Sequence, residues 1–134
     1  MSAPAIQCDN LSRWYGEVQG LAGLTIALDH GVFGLLGPNG SGKSTLMRLL
    51  TGQIHASRGS IKIYGETVVP GNHHVLRHIG YAVGEDVHFE NERAVDFMKM
   101  LAVLGGDSGA AATTRAMKAL DYMGMADKAS VQIG

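Results

Sequence analysis

Gly37-Pro38-Asn39-Gly40-Ser41-Gly42-Lys43-Ser44-Thr45 has the composition of a loop built to hold a polyphosphate. Two glycines five positions apart are followed directly by Lys and Ser, which is the pattern of a phosphate-binding loop. Glycine permits left-handed backbone angles, so consecutive N–H groups can turn inward and form an anion nest. A helix opening near Gly42 would add the positive end of its dipole. Lys43 supplies a mobile point charge suited to the β- and γ-phosphates, and the Ser44 hydroxyl is a candidate ligand for Mg²⁺. The nine residues 37–45 are thus candidate contacts to a nucleoside triphosphate.

The bare pattern would arise by accident in about one chain in a hundred of this composition, so its neighbours must decide. Upstream, Val32-Phe33-Gly34-Leu35-Leu36 reads as a short buried strand that ends at the loop. Downstream, Leu46, Leu49 and Leu50 fall at helical spacing, with Gly52 as the stop. Strand, loop and helix in that order are what the motif requires.

Length and charge set the outer limits. A chain of 134 residues with 46% hydrophobic content is one ordinary domain, or part of a larger one, and not a disordered segment. A net charge of −1 gives no general attraction to nucleic acid or to anionic membranes. The one cysteine, Cys8, cannot form an internal disulfide and reads as a buried, inert thiol in the first strand. No apolar run is long enough to cross a bilayer, and no basic segment leads into an apolar one at the N-terminus. The expected location is therefore the cytoplasm, with any membrane role supplied by a separate partner.

Residues 6–15 contain a first strand, and Leu24-Thr25-Ile26-Ala27-Leu28 a second, before the turn at Asp29-His30-Gly31. Ser60-Ile61-Lys62-Ile63-Tyr64 alternates with a period of two, as a half-buried antiparallel strand does. Gly65-Glu66 makes the turn into Thr67-Val68-Val69, and residues 79–83 form another core strand. From Asn91 the period becomes helical: Phe97, Leu101 and Leu104 share one face, and Gly105-Gly106 ends that helix. Ala112, Ala116, Leu120 and Met123 mark a second helix, and Met98, Met100, Met117, Met123 and Met125 are expected to pack this unit. The expected division is a β-rich unit with the loop over residues 1–84, then the start of a helical subdomain over 85–134.

Leu35-Leu36-Gly37-Pro38-Asn39-Gly40-Ser41-Gly42-Lys43-Ser44-Thr45-Leu46 resembles the phosphate loop of ATP-binding cassette (ABC) ATPases more closely than the bare pattern demands. The likeness continues through residues 57–65 and Ile79-Gly80-Tyr81, and residues 34–52 are most similar to ATPases that serve exporters. The resemblance implies an α/β fold: a partial P-loop NTPase core of the ABC type, with an antiparallel β layer and the start of a helical subdomain. It implies ATP and Mg²⁺ as ligands. In Trp14-Tyr15-Gly16, it makes Tyr15 the candidate for stacking on adenine, a contact that uses the π face. It also implies a membrane-spanning partner subunit and head-to-tail dimers at the inner face of the membrane, while the net charge of −1 leads to the expectation of no nucleic-acid partner.

Two departures from the family pattern matter. Where the family carries a Gln that touches Mg²⁺ and water, alignment of residues 79–83 places Gly84, followed by Glu85 and Asp86. The signature motif, the acidic strand with its catalytic Glu, and the switch His lie beyond Gly134 in the family pattern. No catalytic residue is therefore assigned, because a phosphate cradle alone gives binding with little turnover. Without the strand that should flank residues 32–36, that apolar run is expected to leave an unprotected edge and a marginally stable chain. The leading reading is the nucleotide-binding subunit of an ABC transporter, with export as the expected direction. The alternatives are a soluble non-transport ABC ATPase and a non-catalytic nucleotide-binding remnant that docks onto a partner.

Other features read as structural. His74 and His78 have an i, i+4 spacing that suits zinc, but no third ligand stands near them, so with His73 they read as surface histidines. Asp121-Tyr122-Met123-Gly124 mimics a GTPase switch but falls inside a helical pattern. Glu85, Asp86, Glu90 and Glu92 read as a solvated acidic face.

Overall fold

A computed structural model of the chain describes residues 3–82, 89 and 91–133. The chain divides into two compact units, Met1–Tyr81 and Ala82–Gly134.

The first unit is built on a four-stranded antiparallel sheet in the order β2-β1-β3-β4. Its strands are β1 (Ile6–Tyr15), β2 (Val18–Leu28), β3 (Arg58–Ile63) and β4 (Glu66–Thr67). The second strand starts six residues earlier than its apolar run suggested, because pairing with β1 carries it back to the hairpin turn at Gly16. The turn between β3 and β4 is Tyr64-Gly65, not Gly65-Glu66; both residues have positive φ, as a two-residue hairpin requires. Only Glu66 and Thr67 pair as strand, whereas Val68 turns into the core.

A bulge sets the phase of β1. Cys8 faces Ile26 and Leu11 faces Leu24, so β1 spends one more residue than β2 over this stretch. Asn10 absorbs the excess in a left-handed conformation (φ 44°), and its N–H donates to Thr25 Oγ1 at 3.0 Å. The extra residue lets Cys8 and Leu11 share the buried face although they are three apart. On the other side of the bulge, Gly59 has no room for a side chain. A Cβ there would stand 2.3 Å from the carbonyl oxygens of both Asp9 and Asn10.

Helix α1 (Lys43–Leu50) lays Leu46 and Leu49 on this sheet, where they join Cys8, Leu11, Ile61, Ile63, Val68 and Val75 in one core. It ends as expected at Gly52 (φ 66°), through a pair of bonds from Gly52 N–H to Leu49 O and from Gln53 N–H to Arg48 O. Burial pushes the Cys8 thiol above its ordinary pKa, since an ion there would lose its hydration. Cys8 in the folded chain is therefore expected to react with thiol reagents at least a hundredfold more slowly than in urea-unfolded chain, as timed reagent assays would show. The native thiol titrates higher than the unfolded one, so its contribution to stability is intact below about pH 9 and falls as pH rises through the native pKa.

Residues 32–36 do not form the expected buried strand. Val32 is 102% exposed and Leu36 92%, and no strand pairs with this stretch among the described residues. An apolar run becomes a strand only when a neighbour accepts its backbone bonds, and the four strands among the described residues belong to the antiparallel layer. The same reason applies to residues 79–82, which are also unpaired; Val83 lies outside the described residues. The short helix α2 (His73–Leu76) ends before His78, so His74 and His78 do not share a helical face. His78 instead sets its ring edge-on to Tyr64.

The second unit pairs α3 (Ala94–Leu104) with α4 (Gly109–Tyr122). Its inward positions are small: Ala94, Ala102, Ala112 and Ala116, with Leu120 and the half-buried Met98. The face expected from Phe97, Leu101 and Leu104 is rotated, because Leu101 and Leu104 point outward and alanines make the contact. Four of the five methionines assigned to packing, Met100, Met117, Met123 and Met125, are exposed. Gly106 and Gly124 end these helices by the bonding scheme that Gly52 uses. Asp121-Tyr122-Met123-Gly124 is thus a helix terminus.

Candidate functional site

Residues 37–45 form a loop that folds over the start of α1. Gly40 and Gly42 have φ of 80° and 90°, the left-handed region that the sequence pattern reserves for glycine. Ser41 N–H donates to Pro38 O at 3.2 Å, and Leu46 N–H to Gly42 O at 2.8 Å, so the loop runs straight into the helix. The first N–H groups of α1 have no intrahelical acceptor, as at any helix start. Gly42 lies so close to β2 that a Cβ would stand 2.5 Å from the Gly20 carbonyl oxygen.

Lys43 leads the helix and turns its side chain back across the loop. Its Nζ donates to Gly37 O at 2.6 Å and to Pro38 O at 2.7 Å, with Ser41 Oγ at 3.4 Å. The ammonium therefore stands at the mouth of the loop and ties its two limbs together. Beside it, Asn39, Gly40, Gly42, Lys43, Ser44 and Thr45 line an open concavity of about 340 Å³. Its wall combines one cation, backbone donors and two hydroxyls, the chemistry that a polyphosphate and a hard divalent cation both accept.

Tyr15 approaches this loop from the end of β1. A Cβ on Gly20 would meet Tyr15 Cε2 at 2.7 Å and Thr45 Oγ1 at 3.2 Å, so a side chain there would have to displace the ring. Gly20 was not singled out from the sequence. It falls where β1 and β2 slip register between the Arg13–Leu21 and Trp14–Gln19 pairs, and a glycine inside a strand signals such an approach. Trp14 points elsewhere on the strand and fixes it by donating its N–H to Ser57 Oγ at 3.0 Å. Gly84, Glu85, Asp86 and Glu90 lie outside the described residues. Glu92 takes part through its backbone, accepting from Ile133 N–H at 2.9 Å. Among the described residues no three His, Cys, Asp or Glu side chains gather as a metal cluster, and no helix is long and apolar enough to cross a membrane.

Comparison with known proteins places this geometry. The chain is 38% identical over 91 residues to Nod factor export ATP-binding protein I of Ralstonia nicotianae, a match over 67% of the chain and 27% of that protein. It is 36% identical over 94 residues to the sulfate/thiosulfate import ATP-binding protein CysA of Vibrio cholerae, over 69% of the chain and 24% of the relative. Among solved structures, MJ1267, an ATP-binding cassette of an ABC transporter, superposes with a TM-score of 0.80 at 21% identity, over 98% of this chain and 58% of that one. The chain thus spans about a quarter of these two curated relatives and somewhat over half of the solved cassette. The fold is accordingly α/β, a partial P-loop core with its antiparallel layer and helical start. The family model for ABC transporters matches residues 21–134, from the second strand through the phosphate loop to the helical unit, and this chain belongs to that family.

Proposed function

We propose that this chain binds Mg·ATP as the nucleotide-binding, energy-coupling part of an ABC transporter. The observation that carries the proposal is Lys43 Nζ held over the Gly37 and Pro38 carbonyls at the mouth of the loop. An ammonium has three N–H donors, so Nζ can keep both carbonyls and still offer a donor to a phosphate oxygen. In this reading the backbone of residues 37–45 holds the phosphates, Ser44 supplies a hydroxyl to Mg²⁺, and Tyr15 stacks on adenine. Bound Mg²⁺ neutralises charge on the phosphates.

Turnover is a separate matter. Among the described residues the concavity is lined by a cation, backbone and hydroxyls, which hold phosphates, whereas turnover also needs a group that positions the attacking water. The partner in this reading is a separate membrane-spanning subunit, which would bring a head-to-tail pair of nucleotide-binding domains to the inner face of the membrane. Export is the favoured direction, on the likeness of residues 34–52 to exporter ATPases and on the Nod factor relative. Import is the second reading, favoured by the CysA relative.

Calorimetry in magnesium buffer should show saturable ATP binding, weakened about tenfold by Ser44→Ala or by chelation of Mg²⁺. No heat from folded chain would reject ATP binding. Recovery of a multi-spanning membrane protein in detergent pull-downs supports the transporter reading, whereas recovery of ribosomes supports a soluble ABC ATPase.

A further inference from the structure

Arg13 stands two residues before Tyr15 on β1, and strand geometry sends their side chains to one face. Its guanidinium carbon lies 4.9 Å from the centroid of the Tyr15 ring, inside the range of about 6 Å for a cation–π contact. The guanidinium is itself anchored, since Nη1 donates to His55 O at 2.9 Å. Its Nε is buried and has no hydrogen-bond partner among the described residues. Desolvation of this kind strengthens the attraction of a cation to an aromatic face. The segment that supplies His55 is tied to β1 twice more, by Ser57 N–H on Ser12 O and by Trp14 N–H on Ser57 Oγ.

The Tyr15 ring is therefore fenced on two sides. The cation lies over it, and the Cδ2–Cε2 edge lies against Gly20. Tyr15 is still 40% exposed. A free tyrosine at a hairpin end would sample several rotamers and lose that freedom on stacking with a base.

We infer that Arg13 is a positioning residue for the base of the bound nucleotide: it pre-orients Tyr15 beside the phosphate loop and leaves exposed ring surface for a purine. The inference rests on the ATP reading above and adds a residue to it. Arg13 touches the ring and does not line the concavity at the loop, so its effect depends on the ligand having a base.

The test compares Mg·ATP with magnesium inorganic triphosphate by calorimetry on the whole chain, with thermal melts as a check on folding. Arg13→Ala is expected to raise the ATP Kd about three- to tenfold and to leave the triphosphate Kd unchanged. Arg13→Lys keeps a cation and should recover part of the loss. In a Tyr15→Ala background, Arg13→Ala should cost nothing more. Arg13→Met keeps the apolar stem and serves if the alanine variant fails to fold. Equal losses for ATP and triphosphate, or an undiminished loss without Tyr15, would overturn the role of Arg13 while leaving ATP binding intact. Failure of the underlying reading looks different: the unaltered chain would bind neither ligand.

Discussion

Lys43→Ala is expected to raise the Kd for Mg·ATP at least a hundredfold while leaving thermal unfolding almost unchanged. A unit charge about 4 Å from a phosphate oxygen contributes about 4 kcal/mol at a surface-like dielectric. Even half of that, after screening, corresponds to about thirtyfold. The remainder comes from the loop itself, because Lys43 Nζ bridges the Gly37 and Pro38 carbonyls and draws the two limbs together. Without the ammonium, those carbonyls would face the ligand's negative charge uncovered. The hydrophobic core does not include Lys43, so the melting curve should hardly move. Calorimetry on both proteins checks this, and a Kd within threefold of the original would remove Lys43 from the site.

The second large effect is on folding. Gly59→Ala is expected to cost about 3 kcal/mol or more and to lower the melting temperature of the first unit by about 15 °C. Two penalties combine. A φ of 80° alone costs a non-glycine residue about 1–2 kcal/mol. The added Cβ would also press on two carbonyl oxygens at 2.3 Å, and neither can retreat without undoing the β1 bulge. Gly16→Ala separates the two terms, since Gly16 has φ of 60° but nothing within 4 Å of a Cβ. It should cost only the conformational part. Circular dichroism melts of both variants decide the point: equal shifts would mean that crowding at Gly59 plays no role.

What could be read from the sequence was whatever depends on near neighbours. The phosphate loop, the helix behind it and its glycine stop rest on spacing within about fifteen residues, and they stand where the spacing put them. β3 was legible for the same reason, through alternation of apolar side chains, and a strand within residues 6–15 through its turn-bounded run. Residues 32–36 were misread because the strand state belongs to a pair of segments, and apolar composition in one of them cannot supply the other. In the second unit large side chains suggested the wrong face. Ala102, Ala112 and Ala116 make the buried contact, and alanine gives little signal in a periodicity reading. Gly20 and Arg13 escaped because their significance depends on contacts across β1 and β2 and to the segment at His55.

The loop that carries Lys43 is secured unevenly. Its outgoing limb is a helix seated on a sheet, whereas residues 32–36, which lead into it, have no ladder among the described residues. The carbonyls that Lys43 grips, on Gly37 and Pro38, belong to the incoming limb. Any segment that came to zip onto residues 32–36 would steady those carbonyls and thereby tighten the hold on phosphate. Linkage makes the relation reciprocal, so phosphate in the loop would favour the zipping by the same factor.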